Sequence, residues 1–350
     1  MKQNKKLWFA SDYQEGACPK IMERLMETNY EHTPGYGTDS FCEAAKEKIR
    51  TACACPDAEI FFLTGGTQTN QIMIDTALKP WQGVIAAQSG HVSVHEAGAI
   101  EFTGHKVLEL PHRLGKLGGE QIERYVSAFY EDSNRDHMVA PGMVYLSQPT
   151  EYGTIYSLEE LKAIRRVCDR YDLLLYIDGA RLAYALACPE NDVTLPDLAG
   201  FCDIFYIGGT KCGALFGEAV VIPRPGLIPH LFTMIKQHGA LLAKGRLLGI
   251  QFDTLFTDGL YFEIGNQAQK AADRIREALT AYGYELSIHS PTNQIFVRFT
   301  DAQAAALEQE VDLSFWEKEE GHVIMRIATS WATRMEDVEA LIRVLARHRT

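Results

Sequence analysis

Two polar residues stand where apolar runs end. Ile204-Phe205-Tyr206-Ile207 leads into Gly208-Gly209-Thr210-Lys211-Cys212-Gly213, and Leu173-Leu174-Leu175-Tyr176-Ile177 leads into Asp178-Gly179-Ala180-Arg181. An amine and a carboxylate, each at the exit of its own strand, can face one bound ring. Pyridoxal phosphate asks for that pair: an amine to condense with its aldehyde, and an acid to keep its pyridine nitrogen protonated. A lone lysine after a strand is ordinarily a surface residue. Here Gly208, Gly209 and Gly213 let the backbone approach a ligand closely, and the adjacent Thr210 hydroxyl can donate to a phosphate oxygen. Asp178 has a plainer reading as a helix N-cap, but a carboxylate closing so apolar a run is costly unless it is paired. Arg181 suits bidentate carboxylate recognition; its plainer reading is a salt bridge at the sheet edge.

Two further segments carry polar groups at strand exits. Thr64-Gly65-Gly66-Thr67-Gln68-Thr69-Asn70 joins a strand to a helix, so the N–H groups at the helix start and the Thr67 hydroxyl can hold an anion. Neither the P-loop lysine nor the GxGxxG spacing is present, which disfavours ATP and dinucleotides. Gly90-His91-Val92-Ser93-Val94-His95-Glu96-Ala97-Gly98 follows another strand, and an imidazole there can lie flat on a cofactor ring. His91 and His95 are four apart, but the HExxH order is absent and no third ligand stands out, so no metal is expected.

These groups need a scaffold that gathers strand ends. Strands are expected at 59–63, 84–87, 105–110, 143–146, 173–177, 204–207 and 219–222. Helices are expected at 41–51, 68–77, 119–130 and 158–171. The last of these has apolar residues at helical spacing and Ser157 as N-cap. The alternation predicts an α/β protein with a mainly parallel, doubly wound sheet that binds ligands at the carboxyl ends of its strands. Beyond Pro223-Arg224-Pro225-Gly226, a long helical stretch is expected over roughly 228–260 and an amphipathic helix over 268–282. Strands at 295–299 and 323–327 and a closing helix at 335–347 follow. The expected organisation is a large cofactor-binding domain over 1–250, including an N-terminal arm, and a smaller C-terminal α+β domain over 251–350.

Composition agrees with a soluble globular chain: 350 residues, 46% hydrophobic and 23% charged. A net charge of −12 argues against nucleic acid or an anionic membrane as partner. The basic start, Met1 to Lys6, precedes too short an apolar stretch for a signal peptide, and no run approaches a transmembrane helix in length. Eight cysteines without a secretion signal read as free thiols in a reducing cytoplasm.

Taken together, the motifs resemble those of the low-specificity L-threonine aldolases, in the aspartate-aminotransferase-like (fold type I) group of pyridoxal phosphate enzymes. The resemblance runs nearly end to end. Ser11-Asp12 is similar to the family's N-terminal Ser-Asp element, and Tyr36-Gly37-Thr38-Asp39 to its Tyr-Gly-x-Asp segment. Gly66 through Asn70 resembles the phosphate turn, and His91 through Gly98 the ring-stacking segment. Asp178-Gly179-Ala180-Arg181 resembles the pyridine-nitrogen motif, and Thr210-Lys211 stands where many members have Ser-Lys. The resemblance implies that Lys211 anchors the cofactor, with Gly66, Thr67, Thr210 and Arg181 around it and Arg246 reaching its phosphate across a dimer interface. It implies Ser11, Arg181 and Arg326 on the substrate carboxylate, Tyr36 at the substrate, and a homo-oligomer, dimer or tetramer, with shared sites. Many members carry a histidine where this chain has Glu151.

The implied activity is cleavage of L-threonine, L-allo-threonine or a related β-hydroxy-α-amino acid to glycine and an aldehyde. His91 is the first expected base for the hydroxyl, followed by Glu96 and Glu151. The alternatives are a β-eliminating lyase, or an aldolase specific for aryl β-hydroxy amino acids of the phenylserine type.

Overall fold

The computed structural model describes residues 6–349; the start of the chain, Met1 to Lys5, and Thr350 lie outside the described residues. The strands in chain order are β1 (Leu7–Trp8), β2 (Glu59–Leu63), β3 (Gln82–Ala87), β4 (Val107–Leu110), β5 (Ala140–Ser147), β6 (Leu174–Asp178), β7 (Ile204–Gly208), β8 (Glu218–Ile222), β9 (Glu285–Ile288), β10 (Gln294–Thr300), β11 (Val311–Asp312), β12 (Ser314–Glu319) and β13 (His322–Ala328). Seven of them form the central sheet in the order β2-β8-β7-β6-β5-β3-β4. Pairings from β7 through β6, β5 and β3 to β4 are parallel, whereas β8 is antiparallel to both β7 and β2.

Crossover helices build the parallel part. Leu158–Tyr171, between β5 and β6, begins with a capping box: Ser157 and Glu160 satisfy each other's backbone N–H groups. Its Leu161, Ile164, Val167 and Cys168 are buried, as the helical spacing requires. The inner sheet strands are buried on both faces, with one apolar cluster around Ile85, Val144, Leu175 and Phe205 and another around Val84, Met143, Tyr176 and Ile204. Side chains alternate along each strand, so neighbours such as Leu175 and Tyr176 serve opposite cores.

At the middle of the sheet, β6 and β7 end side by side with almost no space between their exits. A Cβ on Gly179 would lie 2.0 Å from the Tyr206 carbonyl oxygen, and one on Gly208 would lie 2.3 Å from that of Ala180. Only glycine permits this approach. The chain then turns from β7 into the antiparallel β8 through residues 209–217, so Lys211 sits in a tight connection rather than at the start of a crossover helix.

A four-stranded antiparallel sheet, β12-β13-β10-β9, forms the C-terminal unit against the Met335–His348 helix. The helix Leu260–Ala281 joins the two cores: Leu260, Tyr261, Ile264 and Ala268 belong to the first, and Ala271 through Leu279 to the second. At the other end, β1 pairs with β11 and Phe9 is buried in the C-terminal core, which brings Ser11 and Asp12 between the two units.

The helical stretch expected over 228–260 is broken. It divides into Leu231–Gln237 and Arg246–Leu255, and the second long helix starts at Leu260. Gly239 takes a φ of +70° after the first piece, and Gly245 packs so tightly that a Cβ would lie 2.4 Å from the Gly37 nitrogen. No described helix is long and apolar enough to cross a membrane.

Candidate active site

Lys211 and Asp178 line one cavity of about 240 Å³ beyond the ends of β6 and β7, together with Gly66, Thr67, His91, Glu151, Arg181 and Thr210. An outer chamber of about 790 Å³ shares Tyr13, His91, Glu151, Arg181 and Lys211 with it and adds Arg326. The structure therefore brings nine of the sequence-derived site residues to two connected chambers.

Asp178 is 4% exposed and fully engaged. Its Oδ2 accepts from the Tyr145 hydroxyl at 2.6 Å and from Asn70 Nδ2 at 3.0 Å, and its Oδ1 accepts from the Ala180 N–H at 3.0 Å. Burial alone would push this carboxyl up. The nearby His91 charge and the donors Tyr145, Tyr206 and Ala180 outweigh burial and hold it below the ordinary 3.8, so it is ionised at neutral pH. Lys211 is moved the other way: burial, then the Arg181 charge, pull its amine below 10.5 against the opposing effects of Asp12, Asp178 and Glu218. That raises the share of neutral, nucleophilic amine.

His91 Nδ1 lies 2.7 Å from Glu96 Oε1, which also accepts from Asn70 Nδ2 at 2.7 Å. Asn70 thus ties the His91–Glu96 pair to Asp178, and its own Oδ1 accepts from the Tyr176 hydroxyl. Burial pulls the His91 imidazole down, but the Glu96 hydrogen bond and the Asp178 and Glu96 charges raise it above 6.5. Glu151 Oε1 accepts from the His91 backbone N–H at 3.0 Å and from the Ser147 hydroxyl at 2.9 Å, while burial pushes its pKa up.

For a phosphate, the start of the Gly66–Ala77 helix offers first-turn N–H groups with no side-chain cap at Gly65. For a carboxylate, the donors are Arg326 and Arg181. Arg326 spends one nitrogen on Gln294 Oε1 and another on the Ala10 carbonyl, leaving its buried Nε without a partner; Ser11 Oγ is likewise buried and unpartnered among the described residues. Orphaned buried donors of this kind call for a ligand. Arg181 is more committed than its sequence position suggests, because its Nε and Nη2 grip both oxygens of Asp12 at 2.6 and 2.9 Å. The residues present fit pyridoxal phosphate and an amino-acid carboxylate.

Tyr36 and Arg246 stand apart from these chambers within one chain. Tyr36 lines a separate cavity with Phe232 and Leu248. Arg246 donates to the carbonyls of Glu31 and Thr28 and lies over the Phe41 ring.

The structure also adds Asn70, Tyr145, Tyr206 and Glu218 to the site. Glu218 is 2% exposed, accepts from the Gly209 N–H at 3.1 Å and lines the inner cavity. Burial pushes its pKa up to about 8, against the Thr210 hydrogen bond and the Lys211 charge.

The Asp12–Arg181 pair has a measurable consequence. Burial raises the Asp12 carboxyl, but the Arg181 charge and hydrogen bond outweigh it and lower the pKa from 3.8 to about 2. A depressed carboxylate contributes stability above its unfolded pKa and loses it as pH falls through the folded value. The pair should contribute about 2 kcal/mol that disappears across that interval. Asp12→Asn should flatten the pH dependence of urea unfolding there; an acid slope equal to wild type would refute the assignment.

The fold is shared with Thermus thermophilus aspartate aminotransferase, at a TM-score of 0.73 and 16% identity over 99% of this chain and 92% of that one. With a lysine and an ionised aspartate at its strand ends, the chain is a fold type I pyridoxal phosphate enzyme. The beta-eliminating lyase family model matches residues 9–313, and the chain belongs to that family. A low specificity L-threonine aldolase from Pseudomonas aeruginosa is 30% identical over 341 residues, covering 96% of each chain. A second, from a Pseudomonas species, is 31% identical over 86% of this chain and 87% of its own. The structure of Leishmania major threonine aldolase matches with a TM-score of 0.94 at 44% identity, over 98% of this chain and 99% of that one.

Proposed function

We propose that this enzyme cleaves L-threonine, L-allo-threonine or a related β-hydroxy-α-amino acid between Cα and Cβ, giving glycine and an aldehyde. The observation that carries this reading is that Lys211, Asp178 and the part-orphaned Arg326 open onto two connected chambers. Bound there, pyridoxal phosphate supplies the sink for the electrons of the breaking bond.

The chain's own residues do the rest. Lys211 would hold the cofactor, and its amine would move a proton at Cα. Asp178 keeps the pyridine nitrogen protonated. Gly66, Thr67 and Thr210 hold the phosphate. Arg326 and Ser11, with the remaining nitrogen of Arg181, hold the carboxylate and so fix which Cα bond crosses the ring plane. His91, held by Glu96, would supply an imidazole beside the bound cofactor, and Glu151 would line the substrate's side of the same cavity.

Tyr36 and Arg246 belong to the reading only in trans, each serving a second copy's site. Met26 and Tyr30 support such an assembly: they are 76% and 89% exposed beside the Thr28 and Glu31 carbonyls that hold Arg246. We also place residues 1–250 in a cofactor-binding unit and 251–350 in a smaller one, in a cytoplasmic homodimer or homotetramer.

One observation favours a bulkier substrate. The outer chamber is walled by Tyr152, Phe315 and Trp316, and the Tyr152 and Trp316 rings pack edge to face at 5.3 Å. An aryl side chain would fit that wall. Incubation with L-threonine, L-allo-threonine, phenylserine and serine separates the possibilities. Equimolar glycine and aldehyde are expected; pyruvate and ammonia would transfer the enzyme to the β-eliminating reaction. A kcat/KM for phenylserine roughly tenfold above threonine would establish the aryl preference.

A further inference from the structure

We propose that His95 takes the proton from the substrate's β-hydroxyl; the assignment rests on the Cα–Cβ cleavage read above. His95 closes the short His91–Val94 helix, and its ring centroid lies 5.8 Å from that of His91. Both rings line the outer chamber with Lys211, Arg181 and Arg326, but only His91 also reaches the inner one. A substrate with its Cα beside Lys211 and its carboxylate on Arg326 projects its Cβ substituents into the outer chamber.

Few groups there are free to accept a proton. His91 Nδ1 is held at 2.7 Å by Glu96, and the carboxylates around it favour its charged form. Glu151 Oε1 already accepts two hydrogen bonds. His112 Nδ1 accepts the Gly115 N–H at 2.9 Å. The His95 ring nitrogens are engaged by no group among the described residues. His112, Glu151, Glu317, Arg181, Lys211 and Arg326 share its chamber, with His91 on its own segment. Burial, then the charges of His91 and Arg326, hold the His95 imidazole below 6.5, so it is neutral where His91 is charged. Neighbouring titratable groups driven apart in this way divide into an acid and a base.

The step balances. The hydroxyl proton passes to a His95 ring nitrogen, the oxygen's electrons form the aldehyde C=O, and the Cα–Cβ electron pair stays with the glycine fragment. A proton then arrives at Cα, and His95, on the exposed side, returns its own to solvent.

His95→Asn in the holoenzyme tests this. Aldehyde release should fall by roughly 10²- to 10⁴-fold, the range for losing a positioned base. Solvent exchange of glycine's α-proton, a partial reaction that involves no hydroxyl, should continue at close to its wild-type rate. The wild-type kcat/KM should show an acid limb below 6.5 that the variant lacks, and NMR of histidine-labelled enzyme should find His95 titrating below 6.5 and His91 above it. Near-wild-type cleavage by the variant, parallel loss of exchange and cleavage, or a His95 titration above His91 would overturn the proposal. Wild-type enzyme that releases no aldehyde from any β-hydroxy amino acid would instead overturn the cleavage reading itself.

Discussion

Replacing Lys211 with alanine should abolish both the visible absorbance of covalently held pyridoxal phosphate and nearly all aldehyde release. The loss should reach about four orders of magnitude, since in the proposed function the ε-amine is both the covalent anchor and a proton carrier at Cα. The surroundings of Lys211 support so large an effect. The amine is buried and its pKa is lowered by burial and by Arg181, which is costly for a lysine with only a structural part. Its backbone is fixed independently of its side chain: the Tyr184 hydroxyl donates to the Lys211 carbonyl at 2.5 Å, and Gly209 N–H bonds to the Gly217 carbonyl. Truncation should therefore leave the 209–217 connection folded, with wild-type circular dichroism and unfolding midpoint. Lys211→Arg keeps the cation but offers no condensing amine, and should be as inactive as the alanine variant. Wild-type turnover in either would remove Lys211 from the chemistry.

Lys211 and Asp178 are legible in the sequence because each interrupts an apolar run, and glycines beside a charged residue mark a place where backbone must come close. The tyrosines around Asp178 are hidden for the opposite reason. Inside Val144-Tyr145-Leu146, Leu175-Tyr176-Ile177 and Phe205-Tyr206-Ile207, a tyrosine reads as one more apolar strand residue. Only the strand order reveals that Tyr145 pairs opposite Tyr176 and that their hydroxyls reach Asp178 and Asn70. Glu218 is equally quiet, since a glutamate opening a strand ordinarily faces water. The Asp12–Arg181 clamp spans 169 residues and depends on β1 pairing with β11, a contact no local pattern encodes. In the C-terminal unit, β9 and β12 escape notice because neither has a fully buried residue, so their alternation is weak. The helical stretch over 228–260 fails for a related reason: its apolar residues continue through Gly239 and Gly245, and the break lies in backbone conformation and in packing against Gly37.

Asp178→Asn should separate cofactor capture from catalysis. Asparagine is nearly isosteric: its single carbonyl oxygen can keep the Ala180 N–H bond, and its amide, in place of Oδ2, can donate to the Tyr145 hydroxyl, while the bond from Asn70 is lost. What disappears is the negative charge, and with it, in the proposed function, the partner of the pyridine nitrogen's proton. Removing one member of a buried charge pair costs about 3–5 kcal/mol. At 1.36 kcal/mol per decade of rate, that is a loss of roughly a hundred- to a few-thousand-fold in kcat. Lys211 remains able to condense with the aldehyde, so the bound cofactor should retain its visible absorbance even as turnover falls. The substitution should reach His91 as well. The Asp178 charge is among the effects raising that imidazole above 6.5, and Asn70 ties Asp178 to the Glu96 that holds it. In the variant His91 should titrate at lower pH than in wild type, measured by histidine NMR. Unchanged kcat, with His91 titrating as in wild type, would show that this buried carboxylate supports the sheet and nothing more.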